Sequence, residues 1–484
     1  MTPINYSQPC PAKPKRIVIC CDGTWQSATA LQDTSRPPSN IAKLCRVLAS
    51  AGTAVGDDEG GVEEYQQVVY YDAGVGTGKI SALEKAIQGG NGDGLVENVI
   101  ECFNFIVNNY TPGDKLYFFG FSRGAFTARA CAGLVWEVGV LRPSSMREFI
   151  ELYSAYIDAG VFDEDFARTE GWQQFKKRKG NQHAIVPSYT QPVEVIGVFD
   201  TVGALGVPDL GHIIRIDNSG LRKQYQFHDV ELNPGVKHAF QALALDERRQ
   251  PFIPCVWKAS KAKNPSLELL QCWFPGVHTN IGGGSSLGKS ESSHWEQLAS
   301  ISYAWMLDRI RPYLAFDPDE LAAQQADWDV MLRPPTAEEA KREQEAQTLL
   351  QRVAGWLGKE VADKPGYAAA KITDSHTGVY DLIGLPKDRV PLSLSEEDIA
   401  AGKFTNECVH FSVAKRQAAL GEGGYKPAAL TGWQRRKVAE GKYEWFKPSL
   451  SGGEGKVMPE YELGHVPQEW SLEAWLLGRD KGQI

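Results

Sequence analysis

Long apolar runs are what this chain lacks first. No uncharged stretch approaches the ~20 residues that span a bilayer, so no transmembrane position is expected. The first residues, Met1-Thr2-Pro3-Ile4-Asn5-Tyr6, show no signal-peptide core. Basic blocks are missing too: the net charge is −9, which gives nucleic acid no electrostatic footing. Cysteine is sparse and unpatterned. Nine residues, an odd number with no Cys-x-x-Cys pair, indicate neither a disulfide framework nor a zinc site. Cys20 and Cys21, inside an apolar run, read as small core residues. Neither an internal repeat nor a long low-complexity tract is present. These absences lead to the expectation of a globular protein in a reducing, cytoplasmic compartment.

What is present is a series of apolar runs separated by longer stretches, the pattern of an α/β sheet. Residues 16–21, 67–71, 116–119, 193–199 and 267–274 are the five runs. They lead to Asp22, Asp72, the Gly-x-Ser-x-Gly around Ser122, Asp200 and, a few residues on, His278. Open α/β sheets bind ligands outside the carboxyl ends of their strands, and those ends carry the most reactive side chains of the chain. Residues 1–335 are expected to form the catalytic domain, with an insertion at about 140–190. Residues 336–484, punctuated by glycine and proline, are expected to form a mainly helical or irregular cap or extension.

The sequence Leu116-Tyr117-Phe118-Phe119-Gly120-Phe121-Ser122-Arg123-Gly124-Ala125 has the form of a nucleophile elbow. A strand leads in, a helix of small and apolar residues leads out, and the glycines remove β-carbons where strand and helix crowd. The alternative is a tight turn whose serine caps the helix. A serine hydroxyl needs a base oriented by a carboxylate. In α/β hydrolases these follow in the order Ser, acid, His, and Ser122, Asp200 and His278 stand in that order at strand ends. Asp200 has the alternative of capping its own turn. His238, in a segment of helical appearance (236–245), and His410, beside apolar residues, are the rival bases. For the developing oxyanion the amide of Arg123 is one candidate donor. The Asp22-Gly23-Thr24-Trp25 loop is the other, through the amide of Gly23 or Thr24.

Two look-alikes fail on specific residues. Gly74-Val75-Gly76-Thr77-Gly78-Lys79-Ile80 lacks the first glycine and the final hydroxyl of a phosphate-binding loop, and the third glycine of a dinucleotide fingerprint. Cys20-Cys21-Asp22-Gly23-Thr24 carries cysteine where an aspartyl phosphatase has its nucleophilic carboxylate. No metal or organic cofactor is expected.

Taken together, Cys21-Asp22-Gly23-Thr24-Trp25 and the segments 72–78, 120–129, 199–203, 242–249 and 273–278 resemble a known family. It is the α/β-hydrolase family long catalogued as a domain of unknown function, which includes the type VI secretion phospholipase effectors. The chain is more similar to its uncharacterised fungal-type members. The resemblance spans about residues 15–285. It implies an α/β-hydrolase-like fold with a mostly parallel central sheet flanked by helices. It also implies a serine hydrolase cleaving carboxylic esters, of lipase, phospholipase or esterase type. Ser122 is carried over as nucleophile, Asp200 as acid and His278 as base. Many relatives have Asp two residues after this histidine, where this chain has Asn280. The implied partner is a small-molecule or lipid ester, with contact at a membrane surface compatible with the reading. A catalytically weak binding protein, and an acyltransferase or peptidase using the same residues, are the alternatives.

Overall fold

The computed structural model describes residues 13–23, 37–55, 62–74, 93–161, 166–178, 193–202, 232–284, 292–332, 370, 372, 374–375, 386–421, 423–449, 455–461, 463 and 471–479. The phosphate-loop look-alike beyond Gly74 and the Thr24-Trp25 part of the Asp22 loop lie outside them.

Apolar runs become parallel strands because a strand covered on both faces needs hydrophobic residues at every position. In chain order the strands are β1 (Lys15–Cys21), β2 (Ala51–Val55), β3 (Val62–Asp72), β4 (Lys115–Phe121), β5 (Val193–Phe199), β6 (His238–Ala244) and the two-residue β7 (Ala259–Ser260). They continue as β8 (Glu268–Phe274), the two-residue β9 (Lys403–Phe404), β10 (Glu407–His410), β11 (Gln434–Ala439), β12 (Lys442–Lys447) and β13 (Lys456–Tyr461). Eleven of them form one sheet in the order β11-β12-β13-β10-β8-β6-β5-β4-β1-β3-β2, while β7 and β9 pair separately. From β3 to β13 every neighbouring pair is parallel. Antiparallel strands occur at both ends. The fold is therefore α/β, with a mostly parallel, α/β-hydrolase-like sheet.

Alternation along β1 divides the core. Ile17, Ile19 and Cys21 face one layer, filled by the helices Asp93–Asn109 and Ser122–Val138. Val18 and Cys20 face the other, filled by the helices Asn40–Val47 and Ser292–Ile310. β3 lies on one side of β1, and β4 with the strands after it on the other. The strand order thus reverses between β1 and β4, the position at whose carboxyl ends open α/β sheets bind ligands.

Two segments differ from expectation. Residues 238–244 form the central strand β6, not a helix. Its alanines fit a helix, but six of its seven residues are buried between β5 and β8, and tertiary burial overrides propensity. The segment beyond 336, expected to be helical or irregular, carries five of the strands, and four of these extend the central sheet. Strand β10 pairs in parallel with β8, register Cys408↔Cys272 and Val409↔Trp273. Leu243, Leu245 and Trp273 from the earlier strands share a core with Val409, Val413, Trp433, Trp445 and Met458. Asp308, in the helix Ser292–Ile310, accepts from Ser471 Oγ (2.7 Å) and from the amides of Leu472 (2.9 Å) and Glu473 (3.1 Å), capping the helix Leu472–Arg479.

Gly120 and Gly124 hold the elbow closed. A β-carbon at Gly120 would lie 2.5 Å from the Cα of Ala125. One at Gly124 would overlap the carbonyl oxygens of Cys21 and Asp22, which are backbone atoms fixed within the β1 end. Gly124→Ala should therefore destabilise the protein by about 1–3 kcal/mol, read as a lower denaturant midpoint at unchanged slope. An unchanged midpoint would mean that the helix can move away from β1.

Candidate active site

Ser122 is the first residue of the helix Ser122–Val138, directly after β4. Its φ is 58°, in the left-handed region that non-glycine residues rarely occupy. The strain has a local explanation. The chain must turn from strand to helix within one residue, and Gly120 and Gly124 permit the close packing that enforces the turn. Asp200, directly after β5, is also left-handed, with φ 43°. His278 opens a short helix after β8.

These three side chains, from positions 122, 200 and 278, meet at the carboxyl ends of their strands. His278 Nε2 lies 2.8 Å from Ser122 Oγ, and His278 Nδ1 lies 2.6 Å from Asp200 Oδ2. All three are buried. Phe121 packs against the imidazole with centroids 4.7 Å apart, and Phe252 meets it edge-on at 4.9 Å. The backbone amide of His278 donates to Glu247 Oε2 (3.2 Å).

Asp200 is held from every side. Its backbone amide donates to Ala242 O (2.7 Å), and Oδ1 accepts from the Ala244 amide (3.0 Å). Arg389, which no sequence motif marks, grips both oxygens: Nη1 pairs with Oδ1 and Nη2 with Oδ2 (2.9 Å). Burial alone would raise the Asp200 pKa. The Arg389 charge and the bonds from His278 and Arg389 outweigh it, so Asp200 stays ionised well below the usual carboxylate range. Burial lowers the His278 pKa, and the attraction of Asp200 only partly offsets this. The imidazole is therefore neutral at pH 7, the form that can take a proton from Ser122.

Of the other expected residues, Arg123, Gly23 and Asp22 are described and Thr24 lies outside the described residues. Arg123 lies in the first turn of the elbow helix, where backbone amides point out of the helix N-terminus. The Gly23 amide, one of the expected oxyanion donors, instead donates to Asp22 Oδ1 (2.7 Å), so in this conformation it is committed to Asp22. Asp22 also accepts from Ser39 Oγ (2.6 Å) and Tyr71 OH (2.7 Å). Burial pushes its pKa up to about 6 against these bonds. Asp22 thus ties β1, β3 and the helix Asn40–Val47 together beneath the elbow.

Neither rival histidine reaches Ser122. His238 is at the amino end of β6, bonded to Glu268 (2.8 Å) and packed on Tyr313, at the end of the strands opposite to the site. His410 is fully buried: Nδ1 accepts from the Ser412 amide (3.2 Å) and lies 2.7 Å from Ser412 Oγ, while Nε2 lies 2.8 Å from Glu473 Oε1. Burial holds its pKa far below the ordinary value and raises that of Glu473 to about 8, so both are neutral core groups. The cluster Asp246-Glu247-Arg248-Arg249 forms ion pairs. Arg249 forks onto Glu247 (both bonds 2.9 Å), and Arg248 pairs with Asp388 (2.9 Å). Arg249 brings the Glu247 pKa down to about 2 in spite of burial. Among the described residues one group, Cys21, Asp72 and Cys102, has metal-ligand spacing. Cys21 and Cys102 form a sulfur–sulfur contact of 3.6 Å, and that hydrogen bond with burial raises the Cys21 pKa, so its thiol is a protonated core group.

Fold and site together define an α/β-hydrolase-like protein with a Ser-His-Asp array at its strand ends. The chain belongs to the family of Tle1-like type VI secretion system phospholipase effectors, whose catalytic-domain model matches residues 15–309. The family's matched part is its catalytic domain, and its effectors are phospholipases. Over 255 residues it is 26% identical to the uncharacterised protein YEL023C of Saccharomyces cerevisiae, covering 49% of this chain and 32% of that protein. Two solved structures are similar. One is the Tle1 effector bound to the VgrG spike of the type 6 secretion system (TM-score 0.30, 21% identity, 58% of this chain and 52% of that one). The other is an uncharacterised protein from Pseudomonas aeruginosa (TM-score 0.37, 17% identity, 74% of this chain and 56% of that one). The chain thus spans about a third of the yeast relative and just over half of each solved chain. Among the described residues no helix is long and apolar enough to cross a membrane.

Proposed function

We propose that this protein is a serine hydrolase that cleaves carboxylic esters, with a lipid or phospholipid ester as its substrate. One observation carries the reading: a strained, buried serine within hydrogen-bond reach of a neutral imidazole whose far nitrogen meets an ionised carboxylate. Ser122 Oγ attacks the acyl carbon while His278 Nε2 takes its proton. Asp200 holds the Nδ1–H tautomer and balances the imidazolium. The oxyanion forms beside the N-terminus of the elbow helix, where the Arg123 amide is the proposed donor. His278 then protonates the departing alcohol, and water, deprotonated by the same nitrogen, hydrolyses the acyl-enzyme. The phospholipase character of the family supports a lipid substrate. None of these steps calls on a cofactor. We place the protein in the cytoplasm, where its free cysteines would stay reduced.

A fluorophosphonate probe tests the assignment. Peptide mapping of the labelled 484-residue chain should find the adduct on Ser122, and Ser122→Ala should remain unlabelled. Equal labelling of both proteins would remove Ser122 from the chemistry.

A further inference from the structure

Asp200 has partners besides the histidine it orients. The His278 ring and the Ala244 amide place one bond on each carboxylate oxygen. Arg389 adds a planar fork in which each terminal nitrogen has two acceptors. Nη1 bonds Asp200 Oδ1 and Ala244 O (3.0 Å); Nη2 bonds Asp200 Oδ2 (2.9 Å) and Phe252 O (2.8 Å). The side chain is 2% exposed and its partner's is 0% exposed. Such a fork fixes both the position and the rotation of a carboxylate, which a single donor cannot do. The same guanidinium spans from the β5 end to the loop bearing Phe252, whose ring packs edge-on against His278. Arg389 therefore constrains the imidazole from two directions.

Its charge has a second consequence. Asp200 Oδ2 is shared between Nη2 of Arg389 and Nδ1 of His278. When His278 becomes an imidazolium, two cations share one oxygen, and the proton is held less firmly than beside a lone carboxylate. The other charged groups facing the histidine are also matched. Glu247, after β6, is neutralised by the Arg249 fork, and Asp246 accepts from the Gly276 amide (2.6 Å) and Tyr425 OH (2.7 Å). No unpaired anion among the described groups replaces the attraction that Arg389 takes up.

We propose that Arg389 is a positioning residue of the site: it locks Asp200 for His278 and, together with burial of the ring, sets the lower pH limit of the reaction. The inference rests on the triad reading above and extends it beyond residues 15–309, because Arg389 lies outside that region. The catalytic unit of this chain then includes the segment leading into β10. A lowered His278 pKa, already expected from burial, agrees with a site that stays active in mildly acidic surroundings.

The test is the pH dependence of the fluorophosphonate inactivation rate, measured on the full chain for wild type, Arg389→Gln and Arg389→Lys. Wild type should lose reactivity on acidification with a midpoint below 6.5, the ordinary histidine value. In Arg389→Gln the midpoint should rise by about one pH unit, because the competing charge is gone. Arg389→Lys keeps the charge without the fork, so its midpoint should stay within a few tenths of wild type while its rate falls about tenfold at every pH. An unshifted midpoint in Arg389→Gln overturns the proposal. If Arg389→Gln does not fold, Arg389→Lys decides: a wild-type rate, or a midpoint raised like that expected for Gln, overturns it equally. Labelling of Ser122→Ala at the wild-type rate would instead sink the triad itself, so the two failures are distinguishable.

Discussion

Asp200→Asn is expected to lower kcat on a nitrophenyl ester by about 10⁴-fold, the scale on which a misdirected histidine tautomer acts in this kind of triad. The hydrogen-bond census at Asp200 shows why the change is more damaging than its size suggests. Its two oxygens accept from His278 Nδ1, the Ala244 amide, and both Nη1 and Nη2 of Arg389. Every one of these is a donor. An asparagine offers one acceptor oxygen and one NH₂ group, so its NH₂ must point at donors whichever way it is turned. If the NH₂ faces His278, Nδ1 must accept and Nε2 carries the proton, which is the wrong tautomer for accepting one from Ser122. If it faces the Ala244 side, Arg389 loses half of its fork. In both cases a guanidinium that is 2% exposed is left without a counter-charge. Breaking one half of a buried ion pair costs about 3–5 kcal/mol. The variant should therefore lose stability as well as turnover, seen as a lower denaturant midpoint beside the reduced kcat. A kcat within tenfold of wild type would show that Asp200 does not direct His278. An unchanged midpoint with a low kcat would show that Arg389 finds another anion.

The contrast between Asp200 and Arg389 also marks how far the sequence could be read. Strands β1, β3, β4, β5 and β8 were legible because strands covered on both faces appear as uninterrupted apolar runs. The elbow was legible because its glycines are required by sterics, whatever the rest of the chain does. β6 was not. His-Ala-Phe-Gln-Ala-Leu-Ala carries alanine and a buried Gln241, and only the flanking strands decide its state. β11 was equally hidden, since all six of its residues are exposed and it reads as a charged surface stretch. Arg389 sits in Lys387-Asp388-Arg389-Val390-Pro391, which looks like ordinary surface charge. Its meaning comes from a partner 189 positions away in the chain, and only the folded structure supplies that proximity. The commitment of the Gly23 amide to Asp22 is a matter of a single bond, invisible in any motif.

A fragment ending at residue 335, the division that composition suggests, should not fold as the whole chain does. It should be found mainly in the insoluble fraction and should not react with the fluorophosphonate probe, whereas the 484-residue chain should be soluble and labelled. Removing the later segment uncovers the edge of β8 that β10 occupies from Gln271 to Trp273. An unpaired parallel edge in the middle of a sheet is an aggregation template. It also exposes Leu243, Leu245 and Trp273, each at most 1% exposed in the whole protein. Asp308 loses the helix it caps, and its carboxyl, whose pKa burial raises to about 6, is left to water. Asp200 loses Arg389, so the buried carboxylate nearest the nucleophile keeps only His278 and the Ala244 amide as partners. Each loss alone is of the order of a few kcal/mol, comparable to the ~5–15 kcal/mol stability of a typical domain when summed. A soluble fragment that labels Ser122 at the wild-type rate would show that the strands preceding residue 310 suffice as a catalytic unit, and that the Arg389 fork is dispensable for both packing and chemistry.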